Sequence, residues 1–159
     1  MRMNRSMAGS LAKVGLDERN PRVEVNDHLL ELAAANLVAE EGCIVLAPLA
    51  QVGHYDSSRF QDRTGYECLA NKIHIEDFLD GTASALEQLR QGVGYAVVLA
   101  KRLVRSGRFL VILSVDRNSG DLVVRFHQQR PNENWVMDDL EGYEMEDMLV
   151  WEPHDFAQE

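Results

Sequence analysis

Cysteine is scarce in this sequence of 159 residues, which contains only Cys43 and Cys68 and no Cys-x-x-Cys pair. Two thiols are too few for a disulfide scaffold and agree with a reducing compartment. Long apolar runs are missing as well, because no stretch approaches the ~20 consecutive apolar residues of a spanning helix. The N-terminus also lacks the apolar core of a secretory signal. We therefore expect a cytoplasmic protein without membrane association.

Basic residues are the second shortage. Sixteen Lys and Arg stand against 26 Asp and Glu, which gives a formal net charge of −10. A protein that holds nucleic acid by its phosphates normally needs a basic face, so the charge argues against a nucleic-acid partner. The apolar fraction of 45% is that of an ordinary globular domain, and the chain is long enough for one domain with a sizeable core.

The charge is unevenly distributed along the chain. Residues 1–22 carry five Lys or Arg against two acids, and their apolar residues show little periodicity. This composition predicts a flexible basic N-terminal arm, followed by a single α+β domain over residues 23–159. After Arg130 there is no Lys or Arg at all, whereas residues 131–159 contain ten acids. We call residues 131–159 the acidic C-terminal segment.

Large apolar side chains, two tryptophans among them, are interleaved with the acids of this segment. A plain acidic tail is poor in such groups, so we expect the segment to fold onto the body and to show its carboxylates to solvent. Carboxylates attract a basic partner over long range, and rigid aromatic groups serve as anchors in interfaces. The alternative is a solvated face whose aromatic residues belong to the core. The candidate partner-binding residues are Trp135, Asp138, Asp139, Glu141, Tyr143, Glu144, Glu146 and Asp147.

Hydrophobic periodicity predicts two main helices, over residues 26–41 with Gly42 as the stop and over residues 83–105 with Thr82 as the cap. Residues 50–64 are predicted as loop. Strands are predicted at 43–46, 66–75, 109–115, 122–126 and 147–151, with Leu69, Ile73 and Ile75 on the core face of the second strand. Helices gathered on one face of a sheet bury both apolar surfaces. We therefore predict a two-layer α+β fold, with a mainly antiparallel sheet and two helices packed on one face.

Catalytic chemistry has a weaker basis. His74 and Glu76 would point to the same side of a strand, with Cys68 nearby, and these are metal-ligand types. No common zinc spacing is matched, however, and an edge histidine beside an acid is more often structural. We therefore expect no metal, no cofactor and no catalytic residue, and keep a small metal-assisted enzyme centred on these three residues as the alternative.

The C-terminal third resembles a known group of proteins. The run VRFHQQRPNENW over residues 124–135, followed by DDLEGY over residues 138–143 and by Met148-Leu149-Val150, resembles the endings of some small bacterial immunity proteins. These are cytosolic antidotes of contact-dependent or other polymorphic toxin systems. The resemblance implies a non-enzymatic inhibitor that binds a cognate toxin domain, often a basic nuclease.

The leading hypothesis from the sequence is therefore an acidic binding protein that covers the active or substrate-binding groove of a basic toxin domain. We expect such a protein to be a monomer or a weak homodimer. Two alternatives from other classes stay open, namely the metal-assisted enzyme and a structural subunit that assembles through its acidic segment.

Overall fold

The computed structural model describes residues 1–50 and 59–156 of the chain. The helices are Arg5–Val14 (α1), Asp27–Ala34 (α2), Ala47–Ala50 (α3), Arg63–Ala70 (α4) and Ala85–Leu103 (α5). The strands are Arg2–Met3 (β1), Leu37–Glu40 (β2), Cys43–Leu46 (β3), Ile73–His74 (β4), Phe109–Asp116 (β5), Leu122–Gln128 (β6) and Glu146–Trp151 (β7). Single 3₁₀ turns occupy Ile75–Phe78, Leu140–Gly142 and Pro153–Phe156. No helix within the described ranges is long and apolar enough to cross a membrane.

The main sheet has the strand order β1-β7-β5-β6-β4, and every neighbouring pair is antiparallel. The central hairpin pairs Val111 with Phe126, and Ile112 lies opposite Val150 on the other side. Strands β2 and β3 form a separate antiparallel pair. These elements confirm the predicted α+β fold with a mainly antiparallel sheet.

The first face of the sheet carries the larger core. Alternate residues of the central strands, such as Leu113 and Phe126, pack there with the buried stripe of α5, while α1 contacts β7 and α2 contacts α5. The two predicted helices thus lie on this side, and α1 is a third that was not predicted. A Cβ atom on Gly92 would lie 2.6 Å from a methyl group of Leu122, so this glycine allows α5 to approach the sheet closely.

The second face of the sheet carries a smaller apolar cluster. Leu110, Ile112, Met148 and Val150 face that side and are covered by side chains from residues 136–143 of the acidic C-terminal segment. This segment therefore folds onto the body, as predicted, instead of extending into solvent.

Helix α4 joins the sheet to β3 through a group that we call the buried polar bridge, formed by Glu67, Asn71 and Arg130. Glu67 is fully buried, and its two oxygens accept hydrogen bonds from the amides of Ile44 in β3 (2.6 Å) and Gln128 in β6 (2.7 Å). Asn71, one turn further on, bonds the backbone of the same two strands. The Arg130 guanidinium pairs with Glu67, so the buried carboxylate has both a countercharge and a full set of donors.

The prediction of a flexible arm over residues 1–22 is wrong. Arg2 and Met3 pair with β7, and α1 begins directly after Asn4, whose side chain caps Met7 N at 3.1 Å. Met7 and Leu11 are one turn apart and reach the main core. Only these two large apolar positions of α1 are buried, which is why hydrophobic periodicity did not reveal the helix.

The first predicted helix is too long. α2 ends at Ala34, and residues 37–40 form β2 instead. Glu41 and Gly42 both adopt positive φ, at 49° and 80°, which is the backbone of a tight β-hairpin turn. Gly42 therefore serves a hairpin between β2 and β3 and not a helix stop.

The predicted strand over residues 66–75 is also wrong for most of its length. Asp62 caps Gly65 N and starts α4, so only Ile73 and His74 of that range are in a strand. Ile73 and Ile75 are buried as expected, whereas Leu69 is only partly buried. A loop is predicted over residues 50–64. Its residues 51–58 lie outside the described part of the chain, and Arg63 already belongs to α4.

The remaining elements agree with the sequence patterns. α5 covers Ala85–Leu103 and is capped by Ser84 in place of Thr82. The β5–β6 hairpin, β3 and β7 are confirmed with ends shifted by one or two residues at most.

Candidate functional site

Residues 135–145 cross the second face of the sheet and carry two buried side chains among mostly exposed ones. Val136 and Leu140 point inward and belong to the apolar cluster of that face. Trp135, Met137 and Met145 point outward and are 42%, 50% and 52% exposed. Three of the six large exposed apolar side chains among the described residues therefore lie in these eleven positions.

Exposed carboxylates surround these apolar side chains. Asp138, Asp139, Glu141 and Glu144 are all exposed. Asp138 and Asp139 lie between the inward-pointing Val136 and Leu140, and Glu141 and Glu144 follow Leu140. We call the seven exposed residues together the acidic surface; they are Trp135, Met137, Asp138, Asp139, Glu141, Glu144 and Met145.

Hydrogen bonds hold the backbone of the acidic surface in place. The Tyr143 hydroxyl accepts from Met137 N at 3.1 Å, which closes the loop on itself. Arg117 donates to the carbonyl of Glu144 at 2.6 Å, and its own amide donates to the carbonyl of Met145 at 3.0 Å. Tyr143, a predicted binding residue, is half-buried and thus partly occupied in supporting the loop.

The N-terminal residues support the same loop from the other side. Arg2 donates to the carbonyls of Met137 (3.1 Å) and Asp138 (3.0 Å) and pairs with Glu152 at 2.8 Å. The amide of Arg5 donates to Glu141 at 2.9 Å. The basic N-terminus is therefore part of the framework of the acidic surface.

Asp147 is not part of the exposed surface, which corrects its prediction as a binding residue. It is 9% exposed and accepts hydrogen bonds from Ser6, Ser10 and Arg117, the last at 2.7 Å. Burial alone would raise the pKa of Asp147, but these three donors outweigh it and hold the pKa below its usual value. Side chains alternate between the two faces along β7, and Asp147 points to the first face together with Leu149. The acidic surface lies on the second face, which is why the prediction for Asp147 fails.

Glu146 lies at the start of β7 and is half-buried. Its backbone carbonyl accepts from the Asn4 side chain at 2.7 Å, which anchors the N-terminus beside it. Of the eight predicted binding residues, six are brought to one surface or its border, Tyr143 supports that surface, and Asp147 is turned away.

Trp135 lies between α4 and β6. The guanidinium carbon of Arg125 is 5.8 Å from the centroid of its ring, and Gly65 of α4 lies beside the ring edge. Glu133, two residues earlier, accepts from the amide and hydroxyl of Thr64 at 3.0 Å and 2.7 Å and so ties this part of the chain to α4.

The three residues of the alternative metal-assisted enzyme are only partly brought together. His74 Nδ1 lies 3.1 Å from Glu76 Oε1, so these two side chains do meet. Cys68 is fully buried, and burial raises the pKa of its thiol well above the usual value. No group of three or more His, Cys, Asp or Glu suited to a metal ion occurs in the part of the chain that the structure describes.

Sequence analysis did not identify Met137, Met145 or Arg125 as site residues. Val136 lies between Trp135 and Met137 in the sequence. In an extended segment successive side chains point to opposite sides, so an inward Val136 directs both Trp135 and Met137 outward. Arg125 is the only charge in the apolar run Leu122–Phe126. A lone charge in a predicted strand is the sequence signal that points to Arg125.

Comparisons with known proteins give one match. A family model described as "Uncharacterized protein PM0498 family" matches residues 2–158. No curated protein matches the chain, and no solved structure matches it.

Proposed function

The chain belongs to the Uncharacterized protein PM0498 family, and we propose that it is a non-enzymatic, cytoplasmic binding protein that neutralises a cognate basic toxin domain. The toxin class we propose is a nuclease. The acidic surface covers the groove in which that nuclease holds the phosphates of its substrate.

The observation that carries this proposal is the exposure of Trp135, Met137 and Met145 among four carboxylates. Burying apolar side chains is worth roughly 25 cal/mol per Å², so leaving three of them in water forgoes stability. Aromatic residues and methionine are enriched in the cores of protein interfaces, where acids are depleted and remain at the rim. The mixture of the two is therefore typical of an interface for a basic partner.

The hydrogen bonds that hold the backbone of the acidic surface favour binding without a large conformational change. Bonds from Arg2, Arg117 and Tyr143 fix the backbone on which the anchors stand. A preorganised surface loses less conformational freedom when the complex forms, so more of the contact energy appears as affinity. The resemblance of residues 124–150 to immunity proteins agrees with this role.

The division of labour within the surface follows from physical chemistry. Carboxylates at the rim accelerate the approach of a basic partner, and a central aromatic residue determines how long the complex lasts. We assign the first task to Asp138, Asp139, Glu141 and Glu144. We assign the second to Trp135.

The test needs a candidate partner, and the proposal predicts that a basic toxin domain is encoded next to the gene of this chain. Trp135→Ala should raise the dissociation rate about tenfold or more, with a small change in the association rate, and should weaken inhibition of the toxin. Leu86→Ala is the matched control, because Leu86 is a similarly exposed apolar residue (47%) in α5. Equal dissociation rates for the two variants would contradict the proposal, as would a neighbouring toxin domain that this chain does not bind.

A further inference from the structure

Arg125 is half-buried, and its guanidinium has no acceptor among residues 1–50 and 59–156. Its Nε atom is buried without a hydrogen-bond partner, and no ion pair or hydrogen bond joins its side chain to another of these described residues. The aromatic face of Trp135 is the one direct contact of its charge among the described residues, and the Glu146 carboxylate attracts the charge from beyond ion-pair distance.

Other arginines of the chain that approach the interior are paired. Arg130 meets the carboxylate of Glu67, and Arg117 meets that of Asp147. A buried donor without an acceptor, such as the Nε atom of Arg125, costs free energy, and native structures usually avoid it. The exception at Arg125 therefore calls for an acceptor from outside the chain.

Arg125 borders the acidic surface. It lies on the second face of the sheet, opposite Ile112 in β5, and next to the exposed ring of Trp135. Two other groups act on its charge: the Cys68 thiol, which burial keeps neutral, and the Glu146 carboxylate, which lies beyond ion-pair distance. Burial lowers the pKa of Arg125, but the guanidinium stays charged at neutral pH.

We propose that Arg125 is a binding residue for a carboxylate that the partner protein, through a Glu or Asp side chain, inserts beside Trp135. This inference rests on the proposed function and adds a specific requirement to it. The basic partner must present one acid at the centre of its interface.

A carboxylate fits this position better than a phosphate. The planar guanidinium matches a carboxylate with two parallel hydrogen bonds, and the ring of Trp135 can cover the methylene groups of an acidic side chain. A phosphate carries nearly two negative charges and a carboxylate carries one. Glu146 and the acidic surface therefore repel a phosphate more strongly than a carboxylate.

The first test is the stability of the free chain. Arg125→Met keeps the length of the side chain and its contact with Trp135 but removes the unpaired charge. We expect its unfolding constant in denaturant to be unchanged or lower than that of the unsubstituted chain. A rise of more than about tenfold would show that Arg125 serves the fold, and would overturn the proposal.

The second test measures binding of a probe to the full chain without any partner. Acetyl-glutamate amide should shift the indole N–H signal of Trp135 in a saturable manner, and the neutral acetyl-glutamine amide at equal ionic strength should not. Arg125→Met should abolish the shift, whereas Arg108→Gln, a change of an exposed arginine elsewhere, should preserve it. No saturable shift, or a shift with inorganic phosphate alone, would overturn the assignment.

This probe also separates the two proposals. Replacement of the four carboxylates of the acidic surface by amides should slow association with the toxin domain but should leave the glutamate probe bound. A chain that binds the probe yet no toxin domain would contradict only the proposed function.

Discussion

Glu67 and the carboxylates of the acidic surface lie on the same protein of net charge −10, but in opposite surroundings. Glu67 is fully buried and meets two backbone amides and Arg130. Asp138, Asp139, Glu141 and Glu144 stand in solvent beside exposed apolar side chains. The environment, and not the charge, separates an acid that holds the fold together from acids whose side chains reach the solvent.

Removing the buried charge should have the largest effect. Glu67→Gln replaces an acceptor by a donor, leaves Arg130 without its countercharge, and should destabilise the chain by about 3–5 kcal/mol. Denaturant unfolding measures this loss. The double variant with Arg130→Met should be less destabilised than the sum of the two single changes, and simple additivity would show that the pair does not act as a unit.

Asp147 comes next, because it is partly buried and accepts three side-chain hydrogen bonds. Asp147→Asn should cost about 1–3 kcal/mol at neutral pH. The folded pKa lies below the unfolded value, so this stabilisation is present above the unfolded pKa and disappears as pH falls through the folded pKa. Unfolding curves measured down through the acid range should converge for the two proteins, and a constant gap would contradict the assignment.

His127 should produce a smaller effect in a different pH window. Burial lowers its pKa below the usual 6.5, the largest opposing influence being the bond of Nδ1 to the Gln128 carbonyl. The unfolded chain therefore binds a proton first, and stability should fall as pH drops below 6.5. The charges of Glu67, Arg130 and Asp62 also act on this ring. For His127→Gln, the free energy of unfolding should depend less steeply on pH between neutral pH and the folded pKa of His127. The difference in slope should correspond to about one bound proton.

The acidic surface should contribute least to the fold. Changing Asp138 and Asp139 to Asn, and Glu141 and Glu144 to Gln, should alter the free energy of unfolding by about 0.5 kcal/mol per residue or less. Thermal or denaturant unfolding checks this expectation. A loss as large as that of Glu67→Gln would erase the contrast between the two groups of acids.

The sequence predicts the central hairpin, the last strand and the folding of the acidic segment because their apolar patterns are long or sharply bounded. Phe109 to Val115 is one apolar run, closed by turn residues before Leu122. Val136 and Leu140 supply enough apolar surface to hold the acidic segment on the sheet.

The failures occur where polar side chains make tertiary contacts. Residues 66–75 alternate like a strand, yet Glu67 and Asn71, four residues apart, must share one helix face to reach β3 and β6. The N-terminus shows a basic composition, but its helix depends on Asn4 and on two buried residues, Met7 and Leu11. Such pairings between distant residues cannot be seen in local periodicity.

The candidate site was predictable in composition and not in detail. The excess of acids after Arg130 predicts a solvent-facing acidic stretch, and four of these acids are exposed: Asp138, Asp139, Glu141 and Glu144. The strand parity that turns Asp147 inward, and the position of Arg125 beside Trp135, depend on register across the sheet.

The central claim is tested most directly by the association rate of this chain with the proposed basic toxin domain, measured over a range of salt concentrations. The quadruple variant of Asp138, Asp139, Glu141 and Glu144 should associate about tenfold or more slowly at low salt, with a flatter salt dependence. The matched control makes the same change of charge elsewhere, by Glu31→Gln, Asp77→Asn, Asp80→Asn and Asp121→Asn, and should retain most of the rate. Equal rates and equal salt slopes for the two variants would contradict the claim that this acidic surface recognises the partner.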